Sequence, residues 1–138
     1  MRYIEPTRDK EEYGIWARLA NTAWKAREYA TTLGNTKVGA SVEADDGRIF
    51  SGCNVEHKFR SHDIHAEVNV IGSMVAGGSK KLQRLIIVAE REQFTPCGAC
   101  MDWIFQLGGE ECEIGFQGSR NGTIKIFKAK ELMPFYPY

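Results

Sequence analysis

In the stretch SHDIHAEVNVIGSMVAGG, residues 61–78, a histidine stands two positions before a glutamate at what reads as a helix start; further on, PCGAC, residues 96–100, carries a C-x-x-C pair. His65, Cys97 and Cys100 are ligands of the kind zinc takes, and three protein ligands leave its fourth tetrahedral position to water, as in a catalytic rather than a structural site. Glu67 is then the remaining group. A carboxylate beside such a water can take its proton and carry it elsewhere, while the metal lowers the pKa of that water to about 7. Both motifs are expected to open a helix, whose unpaired N–H groups and partial positive charge favour thiolate over thiol. His62 is the rival ligand, but its use would break the H-x-E offset. Taken alone, C-x-x-C also fits a redox pair, which usually follows an early strand in a thioredoxin-like order, and the order here differs.

The elements that must position these groups follow from periodicity. Over residues 7–31 the apolar side chains Ile15, Leu19, Ala23, Ala26 and Ala30 recur three or four apart, with Trp16 and Trp24 widening the stripe, which predicts a helix ended by Gly34-Asn35. KVGASVEADDGRIFSGCNVE predicts two strands around Asp45-Asp46-Gly47, a tight hairpin. A second helix over residues 64–76 carries Val68, Ile71 and Val75 on one face and stops at Gly77-Gly78. LIIVAE, residues 85–90, is continuously apolar, as in a central strand covered on both faces. CGACMDWIFQLGG predicts a third helix, and CEIGFQ and TIKIFKA predict two more strands around a turn at 118–122. This order predicts an α/β fold: a three-layer α/β/α sandwich with a mixed five-stranded sheet.

Length and charge narrow the classes. At 138 residues the chain suits one domain spanning 1–138. Up to Asn69 there are ten basic and eleven acidic residues, and beyond it eight and seven, so neither half is a basic arm and nucleic acid is not an expected partner. The start, MRYIEPTRDKEEYG, has charges where a signal peptide needs an apolar core, and no apolar run approaches the roughly 20 residues that cross a bilayer. A cytoplasmic protein with no membrane partner is the expectation. Cys53 and Cys112 stand apart from the motif and read as small buried apolar residues.

H-x-E together with P-C-x-x-C is the signature of the zinc nucleobase deaminases. The sequence resembles the cytidine deaminase superfamily, and more closely the small homotetrameric cytidine deaminases: VGASV, DGRIFSGCNVE, HAE, TPCGAC and ELMP come in that family's order with similar spacing, from Val38 to Pro134. The resemblance implies one Zn²⁺ per chain on His65, Cys97 and Cys100, with Glu67 passing protons from water to the ring nitrogen and the departing amine of a cytosine nucleoside. It implies ribose contacts for Asn54 and Glu56 and a substrate-binding set that includes Ala66 and Thr36. It also implies a homotetramer whose C-terminal aromatics, here Phe135, Tyr136 and Tyr138, help close a neighbouring subunit's pocket.

The departures from that family bear on chemistry. Small cytidine deaminases usually use a third cysteine where His65 stands, and an arginine follows each zinc motif where this chain has Val68 and Met101. Three thiolates leave a zinc site at −1, which arginines offset; one neutral histidine and two thiolates bring it to zero, and the arginines are no longer needed. The family's aromatic residue before VG falls on Thr36, which predicts a wider or more polar pocket and a preference for a modified cytosine nucleoside. HKFRSHDI is unusually basic and brings His57, Arg60 or His62 into reach of a ligand. Blasticidin S deaminases are similar in the zinc motifs and the Gly-rich helix end, but Glu56 favours an ordinary ribose. A noncatalytic zinc module is the alternative outside enzymes; it leaves Glu67 idle and needs a fourth protein ligand, for which His62 is the candidate.

Overall fold

The computed structural model describes residues 1–137; Tyr138, one of the three tail aromatics, lies outside the described residues. The elements run β1 (Arg2–Ile4), α1 (Lys10–Arg27), β2 (Gly39–Ala44), β3 (Ile49–Cys53), a single 3-10 turn (Arg60–His62), α2 (Ala66–Ala76), β4 (Leu82–Val88), α3 (Gly98–Gly108), β5 (Glu113–Gln117), β6 (Ile124–Lys128) and the short α4 (Ala129–Leu132). The sheet is mixed, in the order β1-β6-β5-β4-β2-β3, with β4 and β5 parallel and the other pairs antiparallel. It has six strands rather than the expected five. The extra strand is β1, three residues at the sheet edge that bury only Ile4, too short to leave a periodic trace in the sequence.

Two apolar cores lie on opposite faces of this sheet. Along β4, Ile86 and Val88 face α1, while Leu85 and Ile87 face α2 and α3, so the unbroken apolar run is the signature of a strand covered on both sides. This gives the expected three layers. The buried stripe of α1 is Trp16, Leu19, Ala20, Ala23 and Trp24; Ile15 is 44 % exposed while Trp16 is 1 % exposed, so the stripe lies one residue round from the expected one. Trp24 is fixed further by its Nε1–H, which donates at 2.7 Å to Oε1 of Gln117, on the same face of the sheet as α1.

α1 lies directly on β2. A methyl at Gly39 would meet the Ala23 carbonyl oxygen at 2.1 Å, so only glycine permits this approach. The hairpin between β2 and β3 turns as expected, with Gly47 at φ 86°. α2 begins at Ala66 rather than residue 64, because Ile64 is held in extended backbone by two hydrogen bonds to Val55, each 2.8 Å. Its buried face is Val70, Ile71 and Met74; Val75 faces outward, which corrects the expected stripe. Cys112 is buried, as expected, and burial pushes its thiol up to about 12; Cys53 is only half-buried. Among the described residues no helix is long and apolar enough to cross a membrane.

Candidate active site

α2 and α3 start on the same side of the sheet, and each start carries a motif residue. His65 is the N-cap of α2 and Cys97 the N-cap of α3, and neither side chain caps its own helix. N-cap side chains ordinarily turn back to first-turn N–H groups; these two face each other. His65 Nδ1 lies 3.4 Å from Cys97 Sγ and 3.4 Å from Cys100 Sγ, and the sulfurs are 3.6 Å apart. Tetrahedral zinc, with Zn–S near 2.3 Å and Zn–N near 2.0–2.1 Å, asks for about 3.8 Å between sulfurs and about 3.5 Å from sulfur to nitrogen. The donors therefore fit zinc both chemically and geometrically. Among the described residues this is the only cluster of His, Cys and acid side chains placed to hold a metal. His62, the candidate fourth ligand, is elsewhere, its ring 5.1 Å from that of His57 and 6.0 Å from that of Phe59.

Glu67 sits beside this cluster in the first turn of α2 and is 2 % exposed. Burial pushes its carboxyl above the ordinary range, against smaller downward pulls from its own backbone N–H, from His65 and from Cys100. Burial likewise pushes the Cys100 thiol up, reinforced by the Glu67 and Cys97 charges. A dication among the donors reverses that preference, because it stabilises the thiolate. The register of α2 is pinned to β3: Asn69 Oδ1 accepts from the Cys53 N–H at 3.1 Å, and a methyl at Gly52 would meet that same oxygen at 2.5 Å.

A cavity of about 330 Å³ opens in front of the cluster, a volume at the lower end of small-molecule sites. Of the residues expected from sequence, Thr36, Asn54, Glu56, His65, Ala66, Glu67 and Cys97 line it, with Cys100 buried behind. Arg60 also lines it; His57 and His62 do not. Phe135 and Tyr136 lie outside it. Phe135 is 95 % exposed, and Tyr136 is docked on α3, its ring 4.0 Å from that of Phe105 and its hydroxyl donating to Asp102 at 2.8 Å.

The polar residues of the sugar side are engaged with backbone. Asn54 Oδ1 accepts from the Val38 N–H at 2.9 Å and its Nδ2 donates to the Thr36 carbonyl at 2.9 Å. Glu56 Oε1 accepts from the N–H groups of Leu33 and Gly34, at 2.7 and 3.1 Å, and these bonds hold its carboxyl below the usual range. Glu56 Oε2 lies 3.5 Å from Arg60, which also donates to Asp63 at 2.9 Å. Val38, Asp63, Ile64, Phe94 and Thr95 complete the wall, and the sequence does not single them out for it. Nothing in the sequence around Phe94 marks it; Asp63 was legible only as an acid next to the motif.

An imidazole and two cysteine sulfurs in tetrahedral reach, with a carboxyl held dry beside them, are the parts that a zinc hydrolase deaminating a ring would need. Residues 16–116 match the family described as the cytidine and deoxycytidylate deaminase zinc-binding region, and the chain belongs to that family. It is 38 % identical over 119 residues to a cytidine deaminase of Sporosarcina psychrophila, covering 85 % of this chain and 87 % of the relative. It is 35 % identical over 98 residues to a cytidine deaminase of Mycobacterium tuberculosis, covering 70 % and 74 %. The crystal structure of cytidine deaminase from Burkholderia pseudomallei superposes with a TM-score of 0.77 at 30 % identity, over 86 % of this chain and 95 % of that one.

Proposed function

We propose that this chain is a zinc-dependent deaminase of a cytosine nucleoside, cytidine, deoxycytidine or a modified cytidine, yielding the uridine-type product and ammonia, with one Zn²⁺ per chain. The observation that carries the reading is the buried Glu67 set beside the His65–Cys97–Cys100 cluster at the floor of a nucleoside-sized cavity. Zinc on these three residues would supply Lewis-acid activation of water near neutral pH. Glu67 accepts the proton released as water adds to C4 of the base, then gives protons to the ring nitrogen and to the departing amine. Its burial suits both duties, since a desolvated carboxyl holds a proton more readily than an exposed one. Ala66, which lines the floor, and Thr36, Asn54 and Glu56 orient base and sugar. The small side chain of Thr36 supports acceptance of a substituted cytosine.

Two cores that share one sheet support the reading of 1–138 as a single domain. The four free cysteines suit a reducing, cytoplasmic setting. The exposed Phe135 supports a homotetramer in which one copy's tail closes a neighbour's pocket; light scattering that finds a monomer rules this out.

The test of function is ammonia release by zinc-loaded protein across cytidine, deoxycytidine, cytosine, N4-substituted cytidines, blasticidin S and adenosine, with product mass confirming each hit. Glu67→Gln is expected to keep zinc and fold and to lose at least about 10³-fold in kcat, at the scale of general acid–base catalysis. A variant with near-native turnover removes Glu67 from the mechanism.

A further inference from the structure

Among the described residues of the cavity wall, Phe94 brings the one aromatic ring besides the His65 imidazole. It stands three residues before Cys97, in a stretch between β4 and α3 with no regular structure, so its place depends on other anchors. Lys125 Nζ supplies one, donating to the Glu92 carbonyl at 3.0 Å. The ring supplies another. Half-buried against the core of α2 and α3, it lies 6.4 Å from the ring centre of Phe116 with the planes 29° apart, an offset, near-parallel pair of the kind aromatic rings prefer. Phe116, on β5, is 2 % exposed and makes a fixed backing.

A third anchor comes from the opposite wall. Arg91 places its guanidinium 5.8 Å from the ring centre of Phe94, within reach of cation–π attraction, and donates from Nη2 to Thr36 Oγ1 at 2.7 Å. Thr36 lines the cavity too, and its carbonyl accepts from Asn54 Nδ2. The guanidinium thus bridges two sides of one cavity, the segment before β2 and the segment before α3. Among the described residues Arg91 forms no ion pair, so a hydroxyl and a ring, rather than a carboxylate, set where it sits.

We propose that Phe94 supplies the aromatic surface on which the cytosine ring rests, and that Arg91, tied to Thr36, is the positioning residue that holds Phe94 there. The inference rests on the cytosine-nucleoside reading given above. On that reading Asn54 and Glu56 mark the sugar end of the cavity, and His65, Glu67 and Cys97 the end where C4 reacts; Phe94, close to Cys97 in the chain, flanks the base. Every base has a π face, so stacking of this kind tolerates substituents on the ring and suits a modified cytosine as well as cytosine itself. A ring that merely plugged the core would need only its apolar volume, and the two roles separate by experiment.

The kinetics of zinc-loaded protein on the cytosine nucleoside it deaminates fastest, with uridine as a bound and unreactive probe, test this. Phe94→Leu keeps an apolar side chain against Phe116 and removes the π face. It is expected to raise KM about tenfold or more, to change kcat less than about threefold and to leave the zinc content as it was. Thr36→Val and Arg91→Gln are each expected to raise KM about threefold in the native chain and to have no effect in the Phe94→Leu chain, because both act through the ring. Thr36→Ser keeps the hydroxyl and should retain the native KM. In the native chain, which depends on no variant's folding, NOEs are expected between H5 and H6 of uridine and the Phe94 ring protons. A Phe94→Leu KM within about threefold of native, uridine bound without those NOEs, or an Arg91→Gln effect undiminished in the Phe94→Leu chain overturns the inference and leaves the nucleoside reading standing. Native protein inactive on cytidine, deoxycytidine and N4-substituted cytidines alike sinks both.

Discussion

Replacing Asn54 by alanine separates two roles that the sequence alone runs together. The resemblance assigns this side chain to ribose, but in the fold its oxygen takes the Val38 N–H and its nitrogen reaches the Thr36 carbonyl, stitching the loop before β2 to the end of β3. Asn54 is 7 % exposed and Val38 4 % exposed, so water is poorly placed to replace the lost partner. An orphaned buried N–H costs about 1–3 kcal/mol and loss of the second bond about 0.5–1.5 kcal/mol, which together give roughly 2–4 kcal/mol. For a chain of this length that is a fall in Tm on the order of 10 °C. Asn54→Asp is expected to lose a similar amount: it keeps an acceptor for Val38 but sets a carboxylate oxygen against the Thr36 carbonyl. The assay is thermal and urea unfolding of zinc-loaded proteins, alongside KM and kcat for cytidine. Because Thr36 and Val38 both line the cavity, KM should rise as stability falls. A variant whose Tm stays within about 2 °C of native while KM rises a hundredfold would refute the reasoning, since Asn54 would then serve ligand alone.

Other outcomes follow from the same geometry. Gly39→Ala places a methyl 2.1 Å from the Ala23 carbonyl, a backbone atom that moves only with α1, and should destabilise by about 3 kcal/mol or more; an unchanged urea midpoint contradicts the close approach of α1 to β2. Removing zinc with a chelator, or replacing His65 by alanine, should lower both the zinc content by mass spectrometry and the Tm, because the ligands come from two separate helix starts; full zinc occupancy without His65 would disprove its role. Glu111 pairs with Lys130 and with Lys128, the latter at 2.9 Å, and these partners hold its carboxyl down at about 2. Its folded value lies below the ordinary 4.5, so its contribution to stability is complete above that value and disappears as pH falls from about 4.5 to about 2. Glu111→Gln should therefore flatten the stability profile in that window and leave the profile at neutral pH without added slope; an unaltered acid limb counts against the pairing.

The chemistry-bearing part of the site was legible because its spacing is local. His65 and Glu67 lie in one helix start and Cys97 and Cys100 in another, so two short motifs contain everything needed to place four side chains. β4 and the hairpin at Gly47 were legible for similar reasons, an unbroken apolar run and a turn dipeptide. What escaped is non-local. The partners of Glu56 are backbone N–H groups at Leu33 and Gly34, and those of Asn54 are Val38 and Thr36; polar residues at the end of a strand do not announce which loop they will bind. Ile15 and Trp16 both fit a helical stripe by period, and only the position of β4 and β6 decides that Trp16 turns inward. Met101 shows the opposite case. Where the resembling family has an arginine, this methionine is 2 % exposed in the core shared by α2 and α3, consistent with a zinc site that carries no net charge to offset.

Between the two halves of the zinc site the chain inserts β4, the central strand on which both layers rest. His65 therefore leaves the ribosome 35 residues ahead of Cys100, the last of the three cluster residues. At about 5–20 residues per second this is an interval of roughly 2–7 s in which the histidine exists without its partners. The three side chains that could hold a metal thus come together late in the life of the nascent chain, only once the sheet's middle has been made.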